Sequence, residues 1–280
     1  IVGADTLREL NVPVAGRIAQ LRLNLERWRW MPRELGEEYL VVNMAGYELR
    51  VISDGAPVLR MPVIVGRDYR QTPAFAGSMT HLILSPYWNV PRKIAVEDLL
   101  PKVRADVGYL AERGFEMFLT WEEDEPPVDP VAVAWDDYDQ NTFPYRFRQK
   151  PGPLNALGRI KFMLPNKLSI YLHDTPHQYL FDAENRAKSS GCVRVSRPLA
   201  LAEFLLRDEP EWSRESLETA IDTGERQVVM LPAPVPVYLV YWTAWADGDG
   251  TVHFRPDVYG RDQLLRDTMW KENGGSGGPG

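Results

Sequence analysis

From residue 39 onward the chain is written in short β-branched runs, at 39–43, 47–52 and 59–65, separated by Ala45-Gly46 and Asp54-Gly55. Short runs bounded by glycine-containing turn dipeptides are the pattern of antiparallel hairpins and confine the fold to a β-rich class. Residues 77–84 and 168–173 add strands, and 235–245 with 251–254 predict a late hairpin around Asp247-Gly248-Asp249-Gly250, a turn too short for a calcium loop. Helices accompany the strands. Ile18, Leu21, Leu25 and Trp28 recur at helical spacing and predict an amphipathic helix ending near Pro32. Ser196 is placed to cap a helix with Pro198 in its first turn and apolar positions Leu199, Ala202, Leu205 and Leu206, and a further helix spans 214–222, closed by Gly224.

The strand rhythm breaks between about residues 92 and 150, where a helical stretch near 96–113 precedes an acidic one. From Trp121 to Asp139 there are eight acidic side chains and no basic one, which reads as a solvated loop, while Arg146, Arg148, Lys150, Arg159 and Lys161 follow closely. The break reads as an insertion into the sheet. The expected architecture is α+β: a β-rich domain of antiparallel sheets, sandwich-like, at 36–91 and 151–260; a helical scaffold at 15–35; an inserted subdomain at 92–150; and a C-terminal tail at 261–280 whose glycine-rich end has linker composition.

Composition narrows the function classes. With 44% hydrophobic residues among 280, the chain has enough apolar mass for one or two cores, and a net charge of −7 leaves no nucleic-acid footprint. No run of eighteen apolar residues is present, so no membrane span is expected in this sequence. A single cysteine excludes an internal disulfide and any CxxC motif, and four scattered histidines with one cysteine give no readable metal set.

That cysteine lies in Ser189-Ser190-Gly191-Cys192-Val193-Arg194. Small, hydrogen-bonding neighbours leave a thiol reachable and supply backbone N–H groups for a thiolate or oxyanion, so Cys192 is either a nucleophile or, as a single cysteine more often is, a small buried hydrophobe. His173 lies nineteen residues upstream at the end of an apolar run, where a strand can present its ring as general base. The amides of Gly191 and Cys192 are natural oxyanion donors. Tyr171, two residues before His173 on the same strand face, is either a further donor or a core aromatic. Arg194 is placed to pair with a substrate carboxylate or with a structural acid. His177 is a rival base, but it follows Thr175-Pro176 in a polar loop.

Ser-Ser-Gly-Cys-Val-Arg preceded by Tyr171-Leu172-His173-Asp174 resembles the signature of the L,D-transpeptidase family with its YkuD-type catalytic domain. Ser190 stands where most members carry a second histidine, which is similar to the large periplasmic YcbB-like subgroup. Asn24-Leu25-Glu26-Arg27-Trp28-Arg29-Trp30, Arg146-Phe147-Arg148-Gln149-Lys150-Pro151-Gly152-Pro153 and Asn155-Ala156-Leu157-Gly158-Arg159 resemble that subgroup too, over about residues 15–245. Residues 1–14 resemble the tail of a peptidoglycan-binding repeat, and Ile rather than Met at the start reads as a fragment. The resemblance implies peptidoglycan stem peptides as partners, 3-3 cross-linking through a Cys192 thioester with release of D-alanine, and no cofactor. It also implies an orienting bond from His173 to the backbone carbonyl of Asp174, a site including Ser189 and Ser190, a mobile cap at 92–150, susceptibility to carbapenem β-lactams, and the periplasm of a Gram-negative bacterium. Two other classes stay open: an L,D-carboxypeptidase or other cysteine peptidase, although papain-like enzymes place cysteine before histidine, and a catalytically silent wall-binding protein, favoured by Ser190.

Overall fold

The computed structural model describes residues 3–122 and 125–273; Glu123 and Asp124 of the acidic stretch and the glycine-rich end lie outside them. The chain divides into two compact units, residues 1–60, 73–76 and 236–280 in one and residues 61–72 and 77–235 in the other. In chain order the helices are α1 (Ala4–Leu10), α2 (Val14–Arg29), α3 (Arg92–Ile94), α4 (Leu100–Ala105), α5 (Gly108–Glu112), α6 (Pro198–Leu205), α7 (Arg214–Asp222) and α8 (Arg261–Asn273). The strands are β1 (Glu38–Asn43), β2 (Glu48–Ser53), β3 (Ala56–Gly66), β4 (Phe75–Leu84), β5 (Trp88–Asn89), β6 (Phe115–Phe118), β7 (Arg146–Gln149), β8 (Ile160–Met163), β9 (Leu172–His173), β10 (Ala187–Ser189), β11 (Val193–Val195), β12 (Gln227–Val240), β13 (Ala244–Ala246) and β14 (Val252–Phe254). The fold class is α+β.

In the first unit β1 pairs antiparallel with β2, Leu40 opposite Val51, and parallel with the end of β12, Leu40 opposite Val237. Asp54 and Gly55 both have positive φ, 51° and 75°, the combination a type I′ hairpin turn requires, so the turn expected there forms. The helix α2 turns a different face inward from the one its apolar spacing predicts. Leu23, Asn24 and Arg27 are its buried residues, while Ile18, Leu25 and Trp28 are about half exposed. A polar network explains this: Asn24 Nδ2 donates to Thr243 Oγ1 at 2.8 Å, the Thr243 N–H donates to Asn24 Oδ1 at 2.9 Å, and Thr243 Oγ1 donates to Asp262 Oδ2 at 2.7 Å. Arg27 forms an ion pair with Asp262. Apolar periodicity carries no information about a face buried by hydrogen bonds. Asp262 sits on α8, so residues 261–273, expected as tail, are helical.

In the second unit the strand order is β10-β3-β11-β9-β8-β4. The sheet is mixed rather than all antiparallel: β11 runs parallel to β9 and β10 parallel to β3, whereas β11–β3, β8–β9 and β4–β8 are antiparallel. Parallel neighbours need a crossover of a dozen or more residues, and 174–192 supply it between β9 and β11. Val63, Ile64, Val65, Leu82, Phe162, Leu172, Val193 and Val195 are fully buried and form the apolar body of this sheet. The strand expected at 168–173 shrinks to Leu172–His173, because Asn166 Oδ1 accepts the N–H groups of Leu168 and Ile170 and bends the chain, with Ser169 at φ 56°. Arg197, not Ser196, takes the N-cap position of α6, without a side-chain hydrogen bond, and the buried Ser196 hydroxyl has no partner among the described residues.

The expected helix at 96–113 is broken into α3, a π turn at Ala95–Leu99, α4 and α5. Pro101 cannot supply the N–H that a continuous helix needs, so the register shifts just before it. With the three-stranded sheet β5-β7-β6 these pieces enclose a cluster of their own, including Val96, Leu99, Val103, Leu110, Met117, Phe143 and Phe147.

Candidate active site

Cys192 sits between β10 and β11, in a turn that Gly191 makes possible at φ 120°, where a side chain would be strained. Ser189 ties the turn to itself: its Oγ donates to the Cys192 carbonyl at 2.6 Å and accepts the Gly191 N–H at 3.2 Å. The segment 66–72 then holds the preceding three residues one by one. The Arg67 N–H donates to the Ser189 carbonyl at 3.0 Å, Arg70 Nη1 donates to Ser190 Oγ at 2.9 Å, and Thr72 Oγ1 donates to the Gly191 carbonyl at 2.7 Å. Gly66 permits the fold-back, since a Cβ there would lie 2.1 Å from the Arg70 carbonyl oxygen. Arg70 is itself buried and bound to Asp98 at 2.6 Å and to Glu97, and these hydrogen bonds push its pKa further up. Nothing in the sequence marked Gly66, Arg70 or Thr72, because contacts between distant loops leave no periodicity.

His173 ends β9 and is buried. Its Nδ1–H donates to the Asp174 carbonyl at 2.5 Å, which leaves Nε2 as the basic nitrogen. The Asp174 carboxylate points elsewhere, accepting the Arg159 N–H at 2.9 Å and Gln178 Nε2 at 3.1 Å. Burial, followed by the positive charge of Arg194, lowers the His173 pKa to about 3, so the ring is neutral over the physiological range.

Strand register assembles the rest. Arg194 on β11 pairs with His173 on β9, and His173 pairs with Lys161 on β8. Cys192, two residues before Arg194, and Tyr171, two before His173, belong to the same face by alternation. The Tyr171 and His173 rings are 5.7 Å apart, and Lys161 Nζ lies 3.9 Å from the centre of the Tyr171 ring. Cys192 is partly exposed, and its thiol donates to the Ser169 carbonyl at 3.7 Å rather than to His173. Burial raises the thiol pKa, while Tyr171, Lys161 and Arg194 pull it down. The thiol and the imidazole are therefore both neutral. That differs from a preformed thiolate–imidazolium pair, so a reaction at this thiol would require its proton to move during attack. His177 lies exposed in the crossover, with its ring 5.9 Å from that of Tyr179 and its N–H on Thr175 Oγ1.

The family model for the L,D-transpeptidase catalytic domain, YkuD, matches residues 37–233, which include every residue of this cluster. A curated Haemophilus influenzae protein described as an L,D-transpeptidase is 37% identical over 246 residues, which is 88% of this chain and 48% of that protein, so the chain spans about half the length of this relative. Among solved structures, L,D-transpeptidase 3 from Mycobacterium tuberculosis is 14% identical with a TM-score of 0.33, covering 73% of this chain and 61% of that one. An L,D-transpeptidase from Mycobacterium smegmatis is 12% identical with a TM-score of 0.31, covering 73% and 58%. The assignment rests on the family match and the Haemophilus relative: the chain belongs to the L,D-transpeptidase family and carries its YkuD catalytic domain.

Proposed function

We infer that this chain transfers acyl groups between peptidoglycan stem peptides through a thioester on Cys192. The donor is a tetrapeptide stem whose third residue, a diamino acid attached through its L centre, precedes a terminal D-alanine. Cys192 Sγ bonds to the carbonyl carbon of that third residue as its proton passes to His173 Nε2. The C–N bond then breaks, and the same proton leaves with the amine of D-alanine. The side-chain amine of a second stem attacks the thioester, forms the 3-3 amide and loses its proton through His173 to the thiolate. Water in place of the amine gives the L,D-carboxypeptidase reaction.

The observation that carries this reading is the crossover that returns Cys192 beside the strand ending in His173. The Cys192 amide and the Tyr171 hydroxyl are the oxyanion donors we favour, because the Gly191 N–H is engaged by Ser189 Oγ. Ser190 in place of a second histidine fits an active site, since its hydroxyl is bound by Arg70 rather than idle. We place the chain in the YcbB-like subgroup and in the periplasm on the resemblance of its motifs; no described helix is long and apolar enough to cross a membrane. The segment 92–150, with its own apolar cluster, is proposed as a cap that limits water access to the thioester.

The deciding experiment incubates the protein with purified disaccharide-tetrapeptide and reads the products by mass spectrometry. Cross-linked dimer with loss of D-alanine is expected, and the absence of both an acyl adduct on Cys192 and any product would overturn the assignment. Replacing 92–150 by a short Gly/Ser bridge should leave Cys192 acylable by a carbapenem while shifting products from dimer toward hydrolysed tripeptide. An unchanged ratio in a folded variant would remove the cap role.

A further inference from the structure

Lys161, His173 and Arg194 form one row across three adjacent strands, with the base in the middle. Directly opposed residues on neighbouring strands stand side by side on the same face, about 5 Å apart at Cβ in the antiparallel pair, and like charges so placed repel. Here the neutral ring separates two cations by roughly two strand spacings, about 10 Å. Neither cation has an acidic partner: among the described residues Lys161 and Arg194 form no ion pair, and the buried Arg194 Nε has no hydrogen-bond acceptor. Lys161 rests its ammonium on the Tyr171 ring, and burial lowers its pKa, the mark of a charge that is not compensated. The buried arginines Arg27 and Arg70, by contrast, each have an acid beside them: Arg27 has Asp262, and Arg70 has Glu97 and Asp98. Partly buried cations without anions cost stability unless a ligand completes them.

We propose that Lys161 and Arg194 together form a carboxylate-binding site that flanks the base and seats an acidic group of the donor stem next to the scissile carbonyl. This inference rests on the transpeptidase reading for the identity of the ligand. Two carboxylates of the donor have the required chemistry: that of the terminal D-alanine, and that at the D centre of the diamino acid. Arg194 offers a planar fork and Lys161 a point charge, so the pair suits an anion held from two sides.

The test compares three tetrapeptide donors: the free acid, the C-terminal amide, and the amide at the diamino-acid side-chain carboxyl. Binding is measured by calorimetry on the Cys192→Ala protein, and acylation on the protein with Cys192 present. The amide that removes the recognised carboxylate should weaken binding by about 10- to 100-fold, as loss of a charge-assisted hydrogen bond does. The other amide should bind like the free acid, which identifies the source. In Lys161→Met and Arg194→Met backgrounds the discrimination should fall to within a few-fold, and Lys161→Arg should restore it. Equal binding of all three donors overturns the site. So does a Lys161→Met variant that slows acylation of acid and amide alike while moving the pH profile of thiol alkylation, since Lys161 then serves only the thiolate. If discrimination persists on the Cys192→Ala protein but the intact protein forms no thioester, the carboxylate site stands and the transpeptidase reading falls.

Discussion

Two clusters in the molecule treat buried charge in opposite ways. In the first, Arg27 meets Asp262, which also accepts from Thr243, which is in turn held by Asn24, so each group of that network is bound from within the protein. In the second, Lys161 and Arg194 stand on either side of His173, and among the described residues neither forms an ion pair. The difference separates scaffold from site. A closed network stabilises and specifies a fold, whereas an open one holds charge at the expense of stability for something that arrives later.

Substitutions should therefore split along the same line. The largest effect is expected on turnover: Cys192→Ala and His173→Ala should each lower it by roughly a thousandfold or more, as for nucleophiles and their bases, while the melting temperature changes little. Loss of activity only through unfolding would return both residues to the scaffold class. Next, Asp262→Asn leaves Arg27 buried without a counter-charge and should destabilise the protein by roughly 3 kcal/mol, read from denaturant midpoints. Lys161→Met, by contrast, should be neutral or stabilising in the same measurement. If both cost alike, the contrast between the two clusters is void.

A third effect is one of pH. His173 has a folded-state pKa of about 3, below its unfolded value, so between those two values the unfolded chain binds the extra proton. Stability should fall as pH drops from about 6.5 toward 3, and His173→Gln should flatten that slope in acid titrations followed by circular dichroism. The smallest effect is expected from His177→Ala, whose ring is exposed. Its rate should stay within about twofold of the parent, since surface changes away from the chemistry are usually silent. A fall as deep as that of His173→Ala would move the base to His177.

The residues of the proposed chemistry were more legible in the sequence than the residues that surround them. Cys192 and His173 stand out because a lone thiol among serines and glycine, and a histidine ending an apolar run, are local signals. Most strands were equally plain from their turns, Asp54-Gly55 above all. Lys161 and Arg70 were silent, because only strand register and the fold-back at Gly66 bring them to the site, and neither leaves a trace in spacing. The face of α2 was misread for a related reason: Asn24 and Arg27 are buried by partners more than two hundred residues away. The strand at 168–171 was lost to Asn166, whose side chain competes for the backbone N–H groups that a ladder needs.

The thiol held in its protonated form has one more consequence. Peroxide and adventitious electrophiles react with thiolates, so a sulfur whose pKa is raised by burial and whose hydrogen is given to the Ser169 carbonyl is a slow target between turnovers. On the mechanism proposed above, the nucleophile would come into being only when a substrate carbonyl is in place to receive it. These 280 residues hold no second thiol to resolve a sulfenic acid, so within them that delay is the protection the sulfur has.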